Sequence, residues 1–426
     1  MRLLIKNGRV IDPYSGTDET LDILIDKGKI IDIKPKIDGK DNKVLDASRL
    51  VVAPGFIDMH VHLREPGQED KETIKTGSLA AAKGGFTSVA CMPNTNPVND
   101  NCGVTEYILS EAKKHALVNI FPVAAITKGL KGEDLTDMAD LVDSGACAFS
   151  DDGQPVQNSQ VMRRALEYSK ITNVPIIDHC EDKNLSRDGV MHEGYYSYLF
   201  GLKGIPAASE EIMVSRDIIL SEKYQSKIHI AHVSTKGSID LIRQAKDKKI
   251  KVTTEVTPHH LLLTDNLIES YDANLKVNPP LRSETDKKAL LQAVKDGIID
   301  AFATDHAPHI FDEKEVEFNN APFGIIGLET AVSLLLDKLV HKNIIPLQKF
   351  ISMFSTNPAK ILGLKNKGKI CVGADADLTI LNLQKDILVD TNTFVSKSRN
   401  CPFNGWKLKG APVMTIVDGK KVYPFK

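Results

Sequence analysis

Hydrophobic and polar residues alternate with a period of two at both ends of the chain. LLIKNGRVID (3–12) and ILIDKGKIIDI (23–33) run around Asn7-Gly8 and Lys27-Gly28, the pattern of short strands joined by hairpin turns. GKICVGADADLTILNL (368–383) and GAPVMTIVDGKKVYPF (410–425) have the same texture. The pattern predicts that the two ends pair into one small β-sandwich module. Residues 1–54 and 365–426 would then flank an inserted unit, 55–364.

Between the ends the rhythm changes. Eight apolar runs recur: GFIDMHVH, FTSVACMPN, NIFPVAAIT, ACAFSDDG, VPIIDHCED, KIHIAHVST, KVTTEVTPHH and IIDAFATDHAPH. Stretches with helical spacing lie between them, among them 72–83, 161–170, 210–222, 236–246 and 287–295. Eight strands alternating with helices predict an α/β fold, a TIM-type (β/α)8 barrel. Most runs start apolar and end polar, and such a barrel carries its active site at the carboxyl ends of its strands. His60, His62, Asn94, Asp151, Asp152, His179, His232 and Asp305 are therefore expected at one mouth. Two longer insertions interrupt the rhythm. The second, within HAPHIFDEKEVEFNNAPFGII (306–326), is charged and contains Gly and Pro, as active-site lids often do.

The size of the chain, 426 residues, suits one large barrel and a smaller module. Lys+Arg 54 against Asp+Glu 56 gives a net charge of -2, so no basic excess asks for nucleic acid or an anionic membrane. No apolar run approaches the roughly 20 residues that span a bilayer, and the N-terminus reaches charged residues too soon for a secretory signal. Six scattered cysteines without a CxxC pair suggest reduced thiols and a cytoplasmic location.

The chemistry centres on His60-Val61-His62. Alternation along a strand sends both imidazoles the same way, and two imidazoles at that spacing can grip one metal ion. With His179 and His232 as further nitrogen donors and Asp152 and Asp305 as oxygen donors, the set suits zinc or another divalent first-row metal. Six donors exceed the needs of one tetrahedral ion and point to two ions sharing a carboxylate and a water. Water held by two cations is a hydroxide near neutrality. Asp305, closing the eighth strand, can take its proton and return it to a leaving group. Arg64 and Asn94 favour a substrate with a carboxylate and amide edges.

PGFIDMHVHLREPG, CMPNTNPV, SDDG, ATDHAPH and APFGIIGLET together resemble the long bacterial dihydroorotases of the amidohydrolase superfamily, over nearly the whole chain. The resemblance implies the reversible cyclisation of N-carbamoyl-L-aspartate to dihydroorotate with loss of water, a step of pyrimidine biosynthesis. It implies His60 and His62 on a first zinc, His179 and His232 on a second, Asp152 between them, and Asp305 as ligand and general acid/base. The metal-bridging hydroxide would be the nucleophile. Two zinc ions per subunit are expected, with a single ion as the alternative. His62, Arg64, Asn94, Asn278, His309 and the backbone of Phe323 and Gly324 would bind substrate, and residues 310–322 would form the lid. A homodimer is implied, and association with aspartate carbamoyltransferase is compatible with the same residues.

Hydantoinases, dihydropyrimidinases and the shorter dihydroorotases bridge their metals with a carboxylated lysine at the end of strand four. Here that strand ends Ser150-Asp151-Asp152, without a lysine. Alternation lets only one of the two aspartates face the mouth, and the choice of Asp152 rests on the resemblance. Two other readings compete: a hydantoinase- or allantoinase-like cyclic-amide hydrolase, and an inactive barrel serving as a partner of aspartate carbamoyltransferase. His306, beside Asp305, reads as structural, and Cys180 as an inert buried thiol.

Overall fold

A computed structural model describes residues 2–40 and 42–425; Met1, Asp41 and Lys426, which belong to the two terminal segments, lie outside the described residues. The eight runs form eight short parallel strands: β1 (Phe56–Val61), β2 (Phe86–Cys91), β3 (Asn119–Ala124), β4 (Ala148–Phe149), β5 (Ile176–Asp178), β6 (Ile228–Ile230), β7 (Val252–Val256) and β8 (Ala301–Phe302). They pair in sequence order, and the Val61–His306 bridge with the His62 N–H to His306 carbonyl bond of 2.8 Å closes the barrel.

Helices follow the strands: α1 (Ile74–Gly84), α2 (Cys102–His115), α3 (Met138–Asp143), α4 (Ser159–Thr172), α5 (Ala208–Tyr224), α6 (Lys236–Asp247), α7 (Glu284–Asp296) and α8 (Ala331–Leu335). Their ends are written in the sequence. Thr73, Asn101, Thr235 and Ser283 cap α1, α2, α6 and α7 through side-chain oxygens, and Gly85 and Gly297 end α1 and α7 with positive φ. Ile228, Ile230, Val252 and Val256 face a core between sheet and helices, whereas Ile57, Met59, Ala90, Ile177 and Ala231 fill the barrel interior.

Both chain ends enter a separate eight-stranded sheet, ordered Lys420–Tyr423, Lys407–Val417, Leu378–Leu388, Val51–Pro54, Leu3–Asp12, Thr17–Asp26 and Lys29–Lys34, with Lys43–Asp46 also on Leu3–Asp12. The junction is antiparallel, Val52 opposite Ile380. Strands from both ends enclose one apolar cluster that includes Ile5, Val10, Ile23, Val52, Leu378 and Ile380. One expectation is corrected. Asn7-Gly8 is not a turn: it sits inside the strand Leu3–Asp12, where pairing slips between Ile5 and Gly8. Asn7 takes φ 60, as asparagine tolerates. The hairpin turn lies further on, between Asp12 and Thr17, whereas Lys27-Gly28 is a turn as expected.

Candidate active site

Strand ends carry the polar residues to one mouth. The centre is Asp152. Its Oδ1 lies 3.2 Å from His60 Nε2, 3.6 Å from His232 Nε2 and 3.7 Å from His179 Nδ1, and its Oδ2 lies 3.5 Å from His62 Nε2. Asp305 Oδ1 is 3.1 Å from His62 Nε2 and 3.7 Å from His60 Nε2. His179 Nδ1 and His232 Nε2 approach to 2.9 Å. All six side chains are buried. Asp151 points away: it accepts from the Ile126 and Thr127 N–H groups at 2.8 and 3.0 Å and from the Thr127 hydroxyl.

These environments separate the two neighbouring carboxyls. Burial pushes Asp151 up to about 6 despite its donors. Burial opposes charge on Asp152 as well, but His60, His232 and His62 hold it well below the usual carboxylate range. Asp305 is held low in the same way by His62, His60 and His232. Burial acts against a charged His60, yet Asp152 and Glu255 raise its imidazole well above the ordinary value.

The donor set fits divalent cations. Ligand atoms of His60, His62 and Asp305, and of His60, Asp152 and His232, lie within 4.8 Å of one another. His60 Nε2 and Asp152 Oδ1 are buried and lack a hydrogen-bond partner, an arrangement costly unless a cation takes those lone pairs. Three of the four imidazoles are oriented from behind. His60 Nδ1 is 2.8 Å from Glu255 Oε1, His62 Nδ1 is 2.8 Å from Asn94 Oδ1, and His179 Nε2 is 3.1 Å from Glu181 Oε2. In each case the opposite ring nitrogen faces the mouth, the arrangement expected of metal-ligating histidines.

A cavity of about 500 Å³ opens above this cluster, lined among others by Arg64, Asn94, Asn278, His309, Phe323 and Gly324. Asn94 spends its oxygen on His62 and keeps its amide nitrogen for the cavity. Arg64 Nε donates to the Pro308 carbonyl at 3.2 Å. Asn278 Nδ2 donates to Glu181 Oε2 at 3.0 Å. His309 reaches the cavity with both ring nitrogens facing oxygen, Glu313 Oε2 at 2.8 Å and the Phe323 carbonyl at 2.9 Å. The Gly324 N–H donates to the Lys276 carbonyl at 2.9 Å and its carbonyl accepts from Asn400 at 3.1 Å, so one carbonyl lone pair is left for a ligand.

Arg64, His232 and Asp305 have φ of 64, 28 and 49, backbone that ordinary residues avoid and that clusters where side chains are aimed for function. His306 faces away, its Nδ1 accepting from the Gly327 N–H at 3.2 Å and its Nε2 lying 3.4 Å from Glu72. Cys180 is buried against Asp178 and Asp217, and burial pushes its thiol well up, which keeps it inert. Sequence reasoning missed Glu181 and Glu255. The signal for Glu255 was present: a glutamate within the strand KVTTEV at an inward position, where a lone charge needs a reason.

Residues 48–238 match the family described as Dihydro-orotase-like, and residues 341–423 match the Amidohydrolase family. The chain is 54% identical over 423 residues to a dihydroorotase of Pelotomaculum thermopropionicum, covering 99% of this chain and 98% of that protein. It is 52% identical over 424 residues to a dihydroorotase of Geobacter metallireducens, covering 99% and 100%. Among solved structures, the L-hydantoinase (dihydropyrimidinase) of Arthrobacter aurescens superposes with a TM-score of 0.90 at 26% identity, covering 99% of this chain and 95% of that one. With full-length relatives above half identity and the barrel in common, this chain belongs to the dihydroorotase family, amidohydrolases that act on cyclic amides.

Proposed function

We propose that the chain interconverts N-carbamoyl-L-aspartate and (S)-dihydroorotate in pyrimidine biosynthesis, using zinc at the cluster around Asp152, with residues 55–364 as the hydrolase barrel. The observation that carries the reading is the position of Asp152, whose two oxygens come within 3.7 Å of all four imidazoles. His60, His62 and Asp305 would hold one ion, and His179 and His232 a second, with Asp152 shared. Zinc there would supply Lewis acidity, polarising the ring amide and lowering the pKa of water.

The protein's own groups do the rest. Arg64 and the free amide of Asn94 grip the substrate carboxylate, with His309 completing that side. Asn278 and the Phe323-Gly324 backbone meet the ring amide edges. Asp305 takes the proton of the attacking water. It delivers that proton to the ring nitrogen as the C–N bond breaks, and the same steps reversed close the ring. The bridging position is filled by an aspartate, which carries its charge without carboxylation and so needs no bicarbonate.

The test pairs two measurements on one sample: zinc per chain, and turnover of both compounds. Turnover with one or two zinc ions supports the reading. Bound zinc with faster hydrolysis of hydantoins than of dihydroorotate overturns the substrate assignment. An Asp305→Asn protein is expected to lose turnover while keeping part of its zinc; unchanged turnover would refute the role given to Asp305.

A further inference from the structure

Behind His60 lies a polar column inside the barrel that the proposed reaction does not use. Val252 and Val256 of β7 face the helices, which leaves Thr253 and Glu255 on the interior face. Ile228 and Ile230 of β6 likewise face outward and leave His229 inside. Glu255 and His229 are fully buried. Glu255 Oε1 meets His60 Nδ1 at 2.8 Å, and Glu255 Oε2 lies 3.2 Å from His229 Nε2. The other nitrogen of His229 is fixed 2.9 Å from the Thr253 hydroxyl. The His232 N–H also points at Glu255 Oε1, at 3.4 Å.

Among the described residues no lysine or arginine pairs with Glu255; its ion-pair partners are His60 and His229 alone. The candidate ligands' other supports differ. Asn94, behind His62, is neutral, and Glu181, behind His179, shares its charge with Lys183 at 2.6 Å. Glu255 is thus a dry carboxylate without a cation of its own, facing the imidazole whose far nitrogen, His60 Nε2, has no hydrogen-bond partner.

We propose that Glu255, packed beside His229 without a hydrogen bond to it, is a positioning residue that accepts from His60 Nδ1 and so keeps the Nε2 lone pair aimed at a cation between Asp152 and Asp305. The physical reason is twofold. A carboxylate accepting from Nδ1–H selects that tautomer and makes Nε2 a stronger donor. A buried carboxylate paired only with imidazoles, with no lysine or arginine beside it, is also better tolerated when a cation is held close by. Glu255 then couples the interior of the barrel to the mouth: it touches no substrate, and it acts only through His60. The inference rests on the metal reading above.

The experiment uses the full chain, stripped of metal and titrated with zinc against a chromophoric chelator. For Glu255→Gln the expected result is a roughly 10- to 100-fold loss of zinc affinity at the site containing His60, with the metal-free protein melting no lower than the wild type. A Glu255→Gln protein that takes up zinc with wild-type affinity overturns the proposal while leaving the metal reading intact. A wild-type protein that binds no zinc overturns both. If the variant does not fold, the wild type decides. Long-range spectra of the metal-free protein with 15N-labelled histidine, recorded at a pH alkaline enough that His60 carries a single proton and assigned by loss of the His60 signals in His60→Gln, should show that proton on Nδ1. A His60 protonated on Nε2 alone refutes the proposal.

Discussion

Asp151 and Asp152 differ by one position and serve opposite ends. Alternation sends Asp152 into the ring of imidazoles and Asp151 into a nest of N–H donors from Ile126 and Thr127. Removing charge from each should therefore fail differently. Asp152→Asn is expected to lose zinc while remaining folded, since its neighbours are the imidazoles of the mouth. Asp151→Asn is expected to retain zinc and lose about 1–3 kcal/mol of stability, because an amide cannot accept all three donors and one is left buried without a partner. Zinc content and urea unfolding of the two variants check this. Equal zinc loss in both would mean that Asp151 also serves the cluster.

At the scale of elements, the segment 310–322 is held down by two buried lysines. Lys314 Nζ donates to the carbonyls of Ala273 and Pro322 at 3.0 and 2.7 Å, and Lys276 Nζ to those of Phe318 and Asn319 at 2.8 and 2.9 Å. Lys276 Nζ also sits 4.8 Å from the centre of the Phe323 ring. Burial lowers the Lys314 ammonium to about 7, with Lys276 adding repulsion and Asp272 and Glu313 opposing it. Burial lowers Lys276 to about 8. The sign follows. A lysine exposed by opening would titrate near 10.5, so between about pH 7 and that value the closed segment binds fewer protons than the open one. Closure strengthens as pH rises through this window, weakens as pH falls toward 7, and levels off below it. Hydrogen-exchange protection of residues 311–321, corrected for intrinsic rates, should be higher at pH 9 than at pH 6. Lys314→Met should flatten that dependence, because Lys314 carries the larger depression. Protection independent of pH in the wild type would refute this account.

At the scale of the molecule, the terminal sheet is stitched to the barrel by Thr379. Its hydroxyl accepts from the Phe56 N–H at 3.0 Å and donates to the Gly85 carbonyl at 2.7 Å, joining the starts of β1 and β2 to the strand Leu378–Leu388. Both strands lead to site residues, His60 and Asn94. Thr379→Val keeps the shape and strands a buried N–H, at a cost of about 1–3 kcal/mol. Because the stitch spans both units, barrel and sheet are expected to unfold in one transition at lower urea. Separate transitions, with the barrel unchanged, would show that the two units are independent. Among the described residues no helix is long and apolar enough to cross a membrane.

The sequence by itself determined the alternation of strands and helices and the donor types at the strand ends. Both are short-range: period and residue chemistry depend on neighbours a few positions away. It also indicated that the two chain ends would meet, since two unpaired β patterns need partners. Tertiary structure alone decided which aspartate faces the mouth, because alternation fixes opposite faces without saying which is inside. It decided that Asn7-Gly8 bulges within a strand, because a second and third strand claim the backbone that a turn would free. It revealed that Glu255 stands behind His60, 195 positions away. A carboxylate's role depends on what it touches, and contact across a barrel is set by closure of the sheet, which no local pattern encodes.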